Sequence, residues 1–473
     1  MTLGLGLGSD SGDGGEELPG RVGGELPGGW VRATLGELGV EVQPGFASGK
    51  HNRDGDGIVH LRPMNITRNG VIDLSDARYV NDESDRRVEY GDVLFNNTNS
   101  PALVGKTAWV DSLEPVAFSN HMTRLRGPEG LDSKFLARQL HHFWSTGYFK
   151  TVLNNHVNQA SVSRRVLLDT EIVVPPLAEQ LHIVAEIDLQ ISHIEAGEEA
   201  LQVGLQKVDE FRKSVICSAI PTPLPDDWSE VTVEEAGKID LGRQRHPSWH
   251  TGPEMKPYLR VANVFEDRID ISDVKAMDFS DTGDRYTLKD GDVLLNEGQS
   301  PHLLGRPAIY RGIPEGAAFQ NTLLRFRPNS WVTSEWALLV FRRHMHTGRF
   351  TKESRITTNI AHLSAARLKT VEFPYPPVDK QEMIVKQVRR QLEDADRMDA
   401  ELRIVTTGSG ELRAALLHAA FTGALVPQDP ADEPASALLD RIRAARATAK
   451  AAPRKRTTRK PRPAPPGQGE LPE

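Results

Sequence analysis

The chain has 473 residues, enough for two or more domains, and its 38% hydrophobic and 26% charged residues suit buried cores. A single cysteine, Cys217, excludes an internal disulfide framework and points to a reducing, cytoplasmic compartment; no apolar run approaches the roughly 18 residues of a membrane span. The net charge of −8 argues against a general nucleic-acid binder, but residues 441–473 hold ten Lys/Arg against two acids, a net of +8 that leaves −16 on the rest.

In chain order, residues 1–25 are glycine-rich, without a basic or an apolar region of a secretory signal, and are expected to be a disordered leader. Residues 26–175 are rich in Gly, Pro, Asn and Asp between short runs such as "DVLFN" and "EIVVP", the pattern of a mixed α/β globule with short strands. A Pro-Pro pair then opens a helical stretch, residues 176–221, because proline is welcome in a first helical turn. Residues 222–376 form a second globule and 377–426 a second helix. Residues 427–473 are expected to be a basic, Pro-rich disordered tail, either a solubilising segment or a sequence-independent grip on DNA phosphates.

The two halves repeat each other. "GDVLFNNTNSPALVGKTAWV" at residue 91 returns as "GDVLLNEGQSPHLLGRPAIY" at residue 291, with ten of twenty positions identical. "LPGGW" returns as "LPDDW", "FSNHMTRLR" as "FQNTLLRFR", "TGYF" as "TGRF" and "VVPPLAEQ" as "PYPPVDKQ", always 198–201 residues apart.

Both helical stretches have coiled-coil spacing. Val184, Ile187, Ile191, Ile194, Leu201, Leu205, Val208 and Val215 make the first seam; Val385, Val388, Leu392, Ala395, Leu402, Leu412 and Leu416 make the second. So narrow a stripe needs a partner, and the obvious one is the other copy. The expected fold is therefore α+β: two similar globular domains, each followed by a long helix, the helices pairing as an antiparallel coiled coil with pseudo-twofold symmetry. The stretch "TTGSGE" at residue 406 predicts a kink rather than a lost helix.

Catalytic motifs fail on inspection. "SPALVGKT" resembles a phosphate-binding loop with Ser100 in place of its first glycine, but its copy "SPHLLGRP" puts Pro307 where a magnesium-ligating hydroxyl belongs. "VPPL" and "YPPV" lack the amide or carboxylate of an adenine-methyltransferase motif. The "DSK" at Asp132 is too short to mark a nuclease and its copy lacks it. His141, His142, His344 and His346 lack metal-ligand spacing and are expected at helix surfaces; no metal site is expected.

What the copies share looks like a frame, and what differs lies at the loop tip. Asn97-Thr98-Asn99 becomes Glu297-Gly298-Gln299; Asn and Gln can pair with adenine, and Glu can accept from cytosine. Lys106 and Arg306 keep a charge suited to phosphate, and Arg124/Arg126 and Arg325/Arg327 alternate along a strand that could face DNA. The candidate DNA contacts are thus Asn97, Asn99, Lys106, Arg124, Arg126, Glu297, Gln299, Arg306, Arg325 and Arg327. The polar loops at residues 48–57 and 242–250 differ wholly between copies, as readers of different half-sites would.

With its paired "GDVL…SP..LG" loops, "PP…Q" entries and following helices, the sequence resembles the specificity subunits of type I restriction–modification enzymes over residues 26–427. The resemblance implies a non-catalytic reader of a bipartite, asymmetric double-stranded DNA site. Its globules would be target recognition domains. Its helices would act as a ruler and dock two DNA adenine methyltransferase subunits, and Ile187, Ile191, Leu201, Val388, Leu392 and Leu402 are the candidate partner contacts. Motor-nuclease subunits complete such assemblies, with S-adenosylmethionine, ATP and Mg carried by the partners and no cofactor by this chain. The alternative is a scaffold whose paired helices assemble proteins without reading DNA.

Overall fold

Each repeat opens and closes on the same pair of strands. Val31–Thr34 lies antiparallel to Glu171–Val174, and Ser229–Thr232 lies antiparallel to Glu372–Tyr375, so the strand that leads into each long helix is tied to its domain's first strand. The computed structural model describes residues 23–81, 86–111, 114–156, 159–352, 355–357 and 360–451. The expected leader therefore lies almost wholly outside the described residues, as does the chain beyond residue 451. By contacts, the chain divides into two units, residues 1–197 with 408–473, and residues 198–407.

In the first unit an antiparallel sheet runs Glu41–Pro44, Met122–Arg126, Val93–Asn96, Thr107–Trp109. The second unit has the same order: Gly237–Leu241, Leu323–Pro328, Val293–Asn296, Pro307–Ile309. The register repeats too, with Met122 opposite Asn96 and Leu323 opposite Asn296. A second small sheet holds a parallel pair in each unit, Ile58–Leu61 with Val116–Phe118 and Met255–Leu259 with Ala318–Phe319. Strands Val93–Asn96 and Val293–Asn296 are buried at every position, which explains their continuous apolar run.

One helix packs on each four-stranded sheet, Ser133–Thr146 and Ser334–His346. The "DSK" triplet has a structural explanation here, because the Asp132 side chain accepts from the Phe135 amide at 2.7 Å as the N-cap, and Thr333 does the same for Trp336 at 3.1 Å. His141, His142 and His344 are buried on these helices, correcting the expectation of surface positions. Sequence spacing alone does not show that these histidines are covered by neighbouring elements, His141 at Thr107 O, His142 against Phe421 and His344 at Glu372 O.

The long helices are Leu177–Ser218 and Val378–Thr422, 42 and 45 residues, or about 63 and 68 Å at about 1.5 Å per residue. The second runs as continuous helix through "TTGSGE", where the Thr406 and Thr407 hydroxyls bond back to Leu402 and Ile404 carbonyls at 2.8 and 2.7 Å. The glutamine of each "PP…Q" entry anchors its helix. Gln180 accepts from the Asp132 amide at 2.8 Å and donates to Pro175 O at 2.9 Å; Gln381 accepts from Thr333 at 2.9 Å and donates to Pro376 O and Trp331 O at 2.9 Å each. Both side chains are fully buried, so each helix start is fixed to its own domain.

The two helices pair antiparallel inside each unit. In the first, Ile183, Val184 and Ile187 cluster with Leu417, Ala420 and Phe421, and Arg413 lies 3.7 Å from Glu195. In the second, Val215 and Ile216 share a core with Val388, while Arg212 reaches Asp396 at 2.8 Å and Asp399 at 3.7 Å. Leu412, expected in the seam, is 60% exposed, and Leu417 is buried instead. The polar and glycine residues of 406–410 leave the apolar seam without a knob there, and it resumes one position later.

The expected disordered tail needs a larger correction. Ala435–Ala451 is a helix, and Ala435, Leu438, Leu439 and Ile442 join the core of the first unit. These four fall at i, i+3, i+4 and i+7, one face of a helix. The Ala435 amide also donates to Gly29 O at 2.9 Å.

Candidate nucleic-acid interface

The strand Val93–Asn96, which leads into the repeated loop, is tied at its other end by an ion pair between a buried aspartate and a partly exposed arginine. Asp92 accepts from Arg126 Nε and, at 2.9 Å, from Arg126 Nη2, and it takes the Glu89 amide at 2.9 Å. In the second unit Asp292 accepts from Arg327 Nε and Nη2 at 2.7 Å each and from the Lys289 amide at 2.8 Å. The pair explains why "GD" and the last arginine of "RLR" and "RFR" recur together. Hydrogen bonding to Asp92 raises the Arg126 pKa further above its ordinary value, and Asp292 does the same for Arg327.

The glycine of "SP.L.G" sits against a ring. Gly105 and Gly305 have φ of 96° and 72°, and a Cβ at either would overlap the Phe149 or Phe350 ring. That contact accounts for the recurrence of the phenylalanine in "TGYF" and "TGRF". The amides of Gly105 and Gly305 close the loop on Asn96 O and Asn296 O at 2.9 and 3.1 Å.

Several expected DNA contacts are occupied within the fold. Lys106 is 5% exposed and donates its ammonium to Ile66 O, and burial pushes its pKa down. Arg306 lies 4.7 Å over the Phe265 ring, its pKa lowered by burial. Arg124 donates to Arg87 O at 2.7 Å. Arg325, 2% exposed, reaches Asp240 at 2.5 Å and Thr287 O at 3.1 Å. Each of the six candidate cations thus has a partner in its own domain; Lys106 and Arg325 are buried, while Arg126 and Arg327 stay partly exposed.

The tip keeps its half-buried polar side chains. Asn97 Nδ2 donates to Thr98 Oγ1 at 3.0 Å and its Oδ1 accepts from Thr123 at 3.2 Å; Asn99 Oδ1 and Gln299 Oε1 each accept from the following serine amide, at 2.8 and 3.2 Å. Glu297 lies 3.3 Å from His362 Nδ1. Backbone bonds pin both tips: Val162 N to Asn97 O at 2.9 Å, and Leu363 N to Glu297 O at 2.8 Å.

Those last bonds reveal a partner that sequence reading passed over. Thr98–Asn99 is the edge of a three-stranded sheet with Gln159–Ser161 and Asn154–His156, and Gly298–Gln299 pairs with Ile360–His362 and Arg355–Thr357 in the same way. The signal was present: at constant offset, "NNHVNQAS" stands against "RITTNIAH", differing at six of eight positions.

The polar loops also differ. In the first unit Asn52 Oδ1 accepts from the amides of Asp54 and Asp56 at 3.2 Å each, leaving Lys50 and Arg53 exposed. In the second, buried Arg243 stacks 3.8 Å over Trp249, and Arg245 and His246 are exposed.

This frame, built twice with different tips, has a match among known families. The model described as "Type I restriction modification DNA specificity domain" matches twice, at residues 27–201 and 225–396. The chain belongs to that family. It is 22% identical over 454 residues to the type I restriction enzyme EcoKI specificity subunit of Escherichia coli K12, covering 90% of this chain and 97% of the relative. The StySPI specificity subunit of Salmonella potsdam is 23% identical over 471 residues, covering 92% and 99%. Among solved structures, a chain reported under assembly and conformational transition of the type I R-M system superposes with a TM-score of 0.64 at 19% identity, covering 85% of this chain and all of that one. The HsdS subunit of Thermoanaerobacter tengcongensis gives 0.54 at 19% identity, covering 85% and 98%. These two carry the fold. Among the described residues, no helix is long and apolar enough to cross a membrane.

The six expected partner contacts lie on the side of the helices that faces their own chain. Ile187 and Val388 are buried, Ile191 and Leu392 pack on the cores of their units, Leu201 is half-buried, and Leu402 approaches Gly204. Ile187, Ile191, Val388 and Leu392 therefore pack within their own chain. The large apolar side chains that face solvent are others, and six are equivalent in the repeat: Leu177 with Val378, Val203 with Ile404, and Phe211 with Leu412.

Proposed function

We propose that each globular domain reads one half of a bipartite, asymmetric duplex DNA site. The observation that carries this is the contrast inside the repeat. The Asp–Arg pair, the Gly–Phe contact and the glutamine anchor are the same in both units, while the tip and its strand pair differ in chemistry at the same place. A frame kept constant around a changed edge suits two readers of two sequences. Asn97 and Asn99 suit adenine, and Glu297 and Gln299 suit cytosine and adenine.

The long helices set the gap between half-sites and dock two modification subunits that methylate adenine, with motor-nuclease subunits joining the assembly. The chain itself performs no chemistry. S-adenosylmethionine, ATP and Mg enter on the partners.

The test assembles the chain with its modification subunits and measures retention on duplexes of varied sequence. The reading expects sequence-dependent retention, each mismatch in a half-site costing about 1–3 kcal/mol. Equal retention on all duplexes would leave a scaffold. A second arm inserts seven residues after Ala196 and seven after Thr407; about 10.5 Å of added helix lengthens the gap by about three base pairs at about 3.4 Å each. An unchanged gap rules out the ruler.

A further inference from the structure

We propose that the turn beside the tip of each domain carries a further specificity-determining residue, His121 in the first and Thr322 in the second, whose side chain selects a base inside the half-site. The proposal rests on the DNA reading above and adds a position to it.

Strand order places the turn. Met122–Arg126 lies between Glu41–Pro44 and Val93–Asn96 and runs antiparallel to both, so the residues before it emerge at the same sheet end as the loop after Pro44 and the tip after Asn96. Leu323–Pro328 stands in the same way between Gly237–Leu241 and Val293–Asn296. The turn therefore sits between the first polar loop and the tip in both domains.

Backbone bonds hold it from three neighbours, alike in the two copies. On the tip side, the Asn97 and Thr98 amides donate to His121 O at 3.1 and 3.2 Å, and the Glu297 amide donates to Thr322 O at 3.0 Å. On the loop side, Asn120 N donates to Phe46 O and Asn321 N to Arg243 O, at 3.0 Å each. The small second sheet gives the third bond, Ser119 N to Leu61 O and Gln320 N to Leu259 O, at 2.9 Å each.

All of these bonds use main-chain atoms, so none of them calls for histidine in one copy and threonine in the other. The preceding asparagine, Asn120 or Asn321, is the same in both. His121 and Thr322 are half-buried at the sheet end. Among the described residues the His121 ring has no hydrogen-bond partner; the Thr322 hydroxyl accepts from the Val261 amide at 3.3 Å and keeps its proton to give. A neutral imidazole offers one donor and one acceptor, whereas threonine offers a hydroxyl and a methyl that can meet the methyl of thymine. Neither has the fixed positive charge of Lys or Arg, so the contrast suits base edges and not phosphates. A constant backbone presenting two different side chains is the pattern of the tips, found again one strand away.

The experiment uses the full chain with its modification subunits. Methylation mapping gives the motif, and retention is then measured on duplexes in which each base pair of both half-sites is varied in turn. The variants are His121→Ala, His121→Thr, Thr322→His and, for comparison, Asn97→Ala. His121→Thr places in the turn the residue that the other copy already carries on the same backbone, so the turn admits it. The expected result for both His121 variants is a loss of about ten-fold in discrimination at one base pair of the first half-site, next to the pair affected by Asn97→Ala. The second half-site and the gap stay as they were. Thr322→His alters preference at one base pair of the second half-site only. An equal loss on every duplex overturns the proposal, because it marks a phosphate contact or a weakened fold. Unchanged discrimination at every base pair also overturns it. If Asn97→Ala shifts a base preference while the His121 variants do not, this proposal fails and the reading of half-sites stands. If the parent itself retains every duplex equally, that reading fails and this proposal with it.

Discussion

Arg327 closes a two-pronged grip on Asp292, Nε and Nη2 each 2.7 Å from a carboxylate oxygen, at the start of the strand that leads to the differing tip. Asp292 is 1% exposed, so its charge has almost no water to turn to. Replacing Arg327 with Ala leaves the Asp292 carboxylate with the Lys289 amide but no cation, and is expected to cost about 2–3 kcal/mol of stability in that domain, less than for a fully buried pair because Arg327 is partly exposed. Asp292→Asn combined with Arg327→Gln should cost clearly less than the sum of the two single changes. Denaturant unfolding measures all of them. A loss under about 1 kcal/mol for Arg327→Ala would mean the pair does not hold the two strands together.

The ring contact beside the loop gives a second expectation. Gly105→Ala must place a methyl into the Phe149 ring at φ of 96°, and a loss of about 2 kcal/mol or more is expected. Adding Phe149→Leu should recover part of it, because the clash is with the ring. No recovery would place the whole cost in the backbone.

The arginines show how far sequence reaches and where it stops. The alternation of Arg124 with Arg126 and of Arg325 with Arg327 correctly marked a strand. Whether Arg126 and Arg327 met DNA or an acid depended on Asp92 and Asp292, 34 and 35 residues away, which the antiparallel strand pairing sets beside them. Two copies cannot separate positions kept for folding from positions kept for binding. The differing strand pairs at 154–161 and 355–362 carried a readable signal, but only strand pairing joins them to the tips. The C-terminal helix was hidden by composition: Ala435, Leu438, Leu439 and Ile442 have helical spacing inside a stretch whose net charge and prolines suggested a tail.

The solvent-facing apolar positions of the long helices make a prediction about assembly. Phe211→Asp and Leu412→Asp alter residues 46% and 60% exposed, so folding should be little changed, within about 0.5 kcal/mol. Recovery of modification subunits on affinity-tagged chain should fall at least several-fold for the double variant. Ile187→Asp should instead unfold the first unit, because Ile187 is fully buried. Full recovery with both exposed positions changed would put the docking surface elsewhere.

His142 supplies a pH dependence. Its ring is buried 5.3 Å from Phe421, and burial, aided by the nearby His418 charge, holds its pKa at about 4. The folded chain therefore keeps it neutral, while the unfolded chain takes up a proton as pH falls below about 6.5. Stability is lost from about pH 6.5 down to about 4 and no further below, since both states are then protonated. His142→Gln should flatten that slope by up to one proton in urea midpoints measured across the range. An identical slope in parent and variant would show that His142 does not titrate on unfolding.

The most direct test of the central claim is a map of methylated adenines made by the chain with its modification subunits. The parent is compared with a chain whose residues 97–99 and 154–161 are replaced by the counterparts at 297–299 and 355–362. Two readers on a constant frame predict that one half of the bipartite motif changes while the other half and the gap stay as they were. A motif unchanged in both halves would contradict the assignment of the tips and their strand pairs as the reading edge.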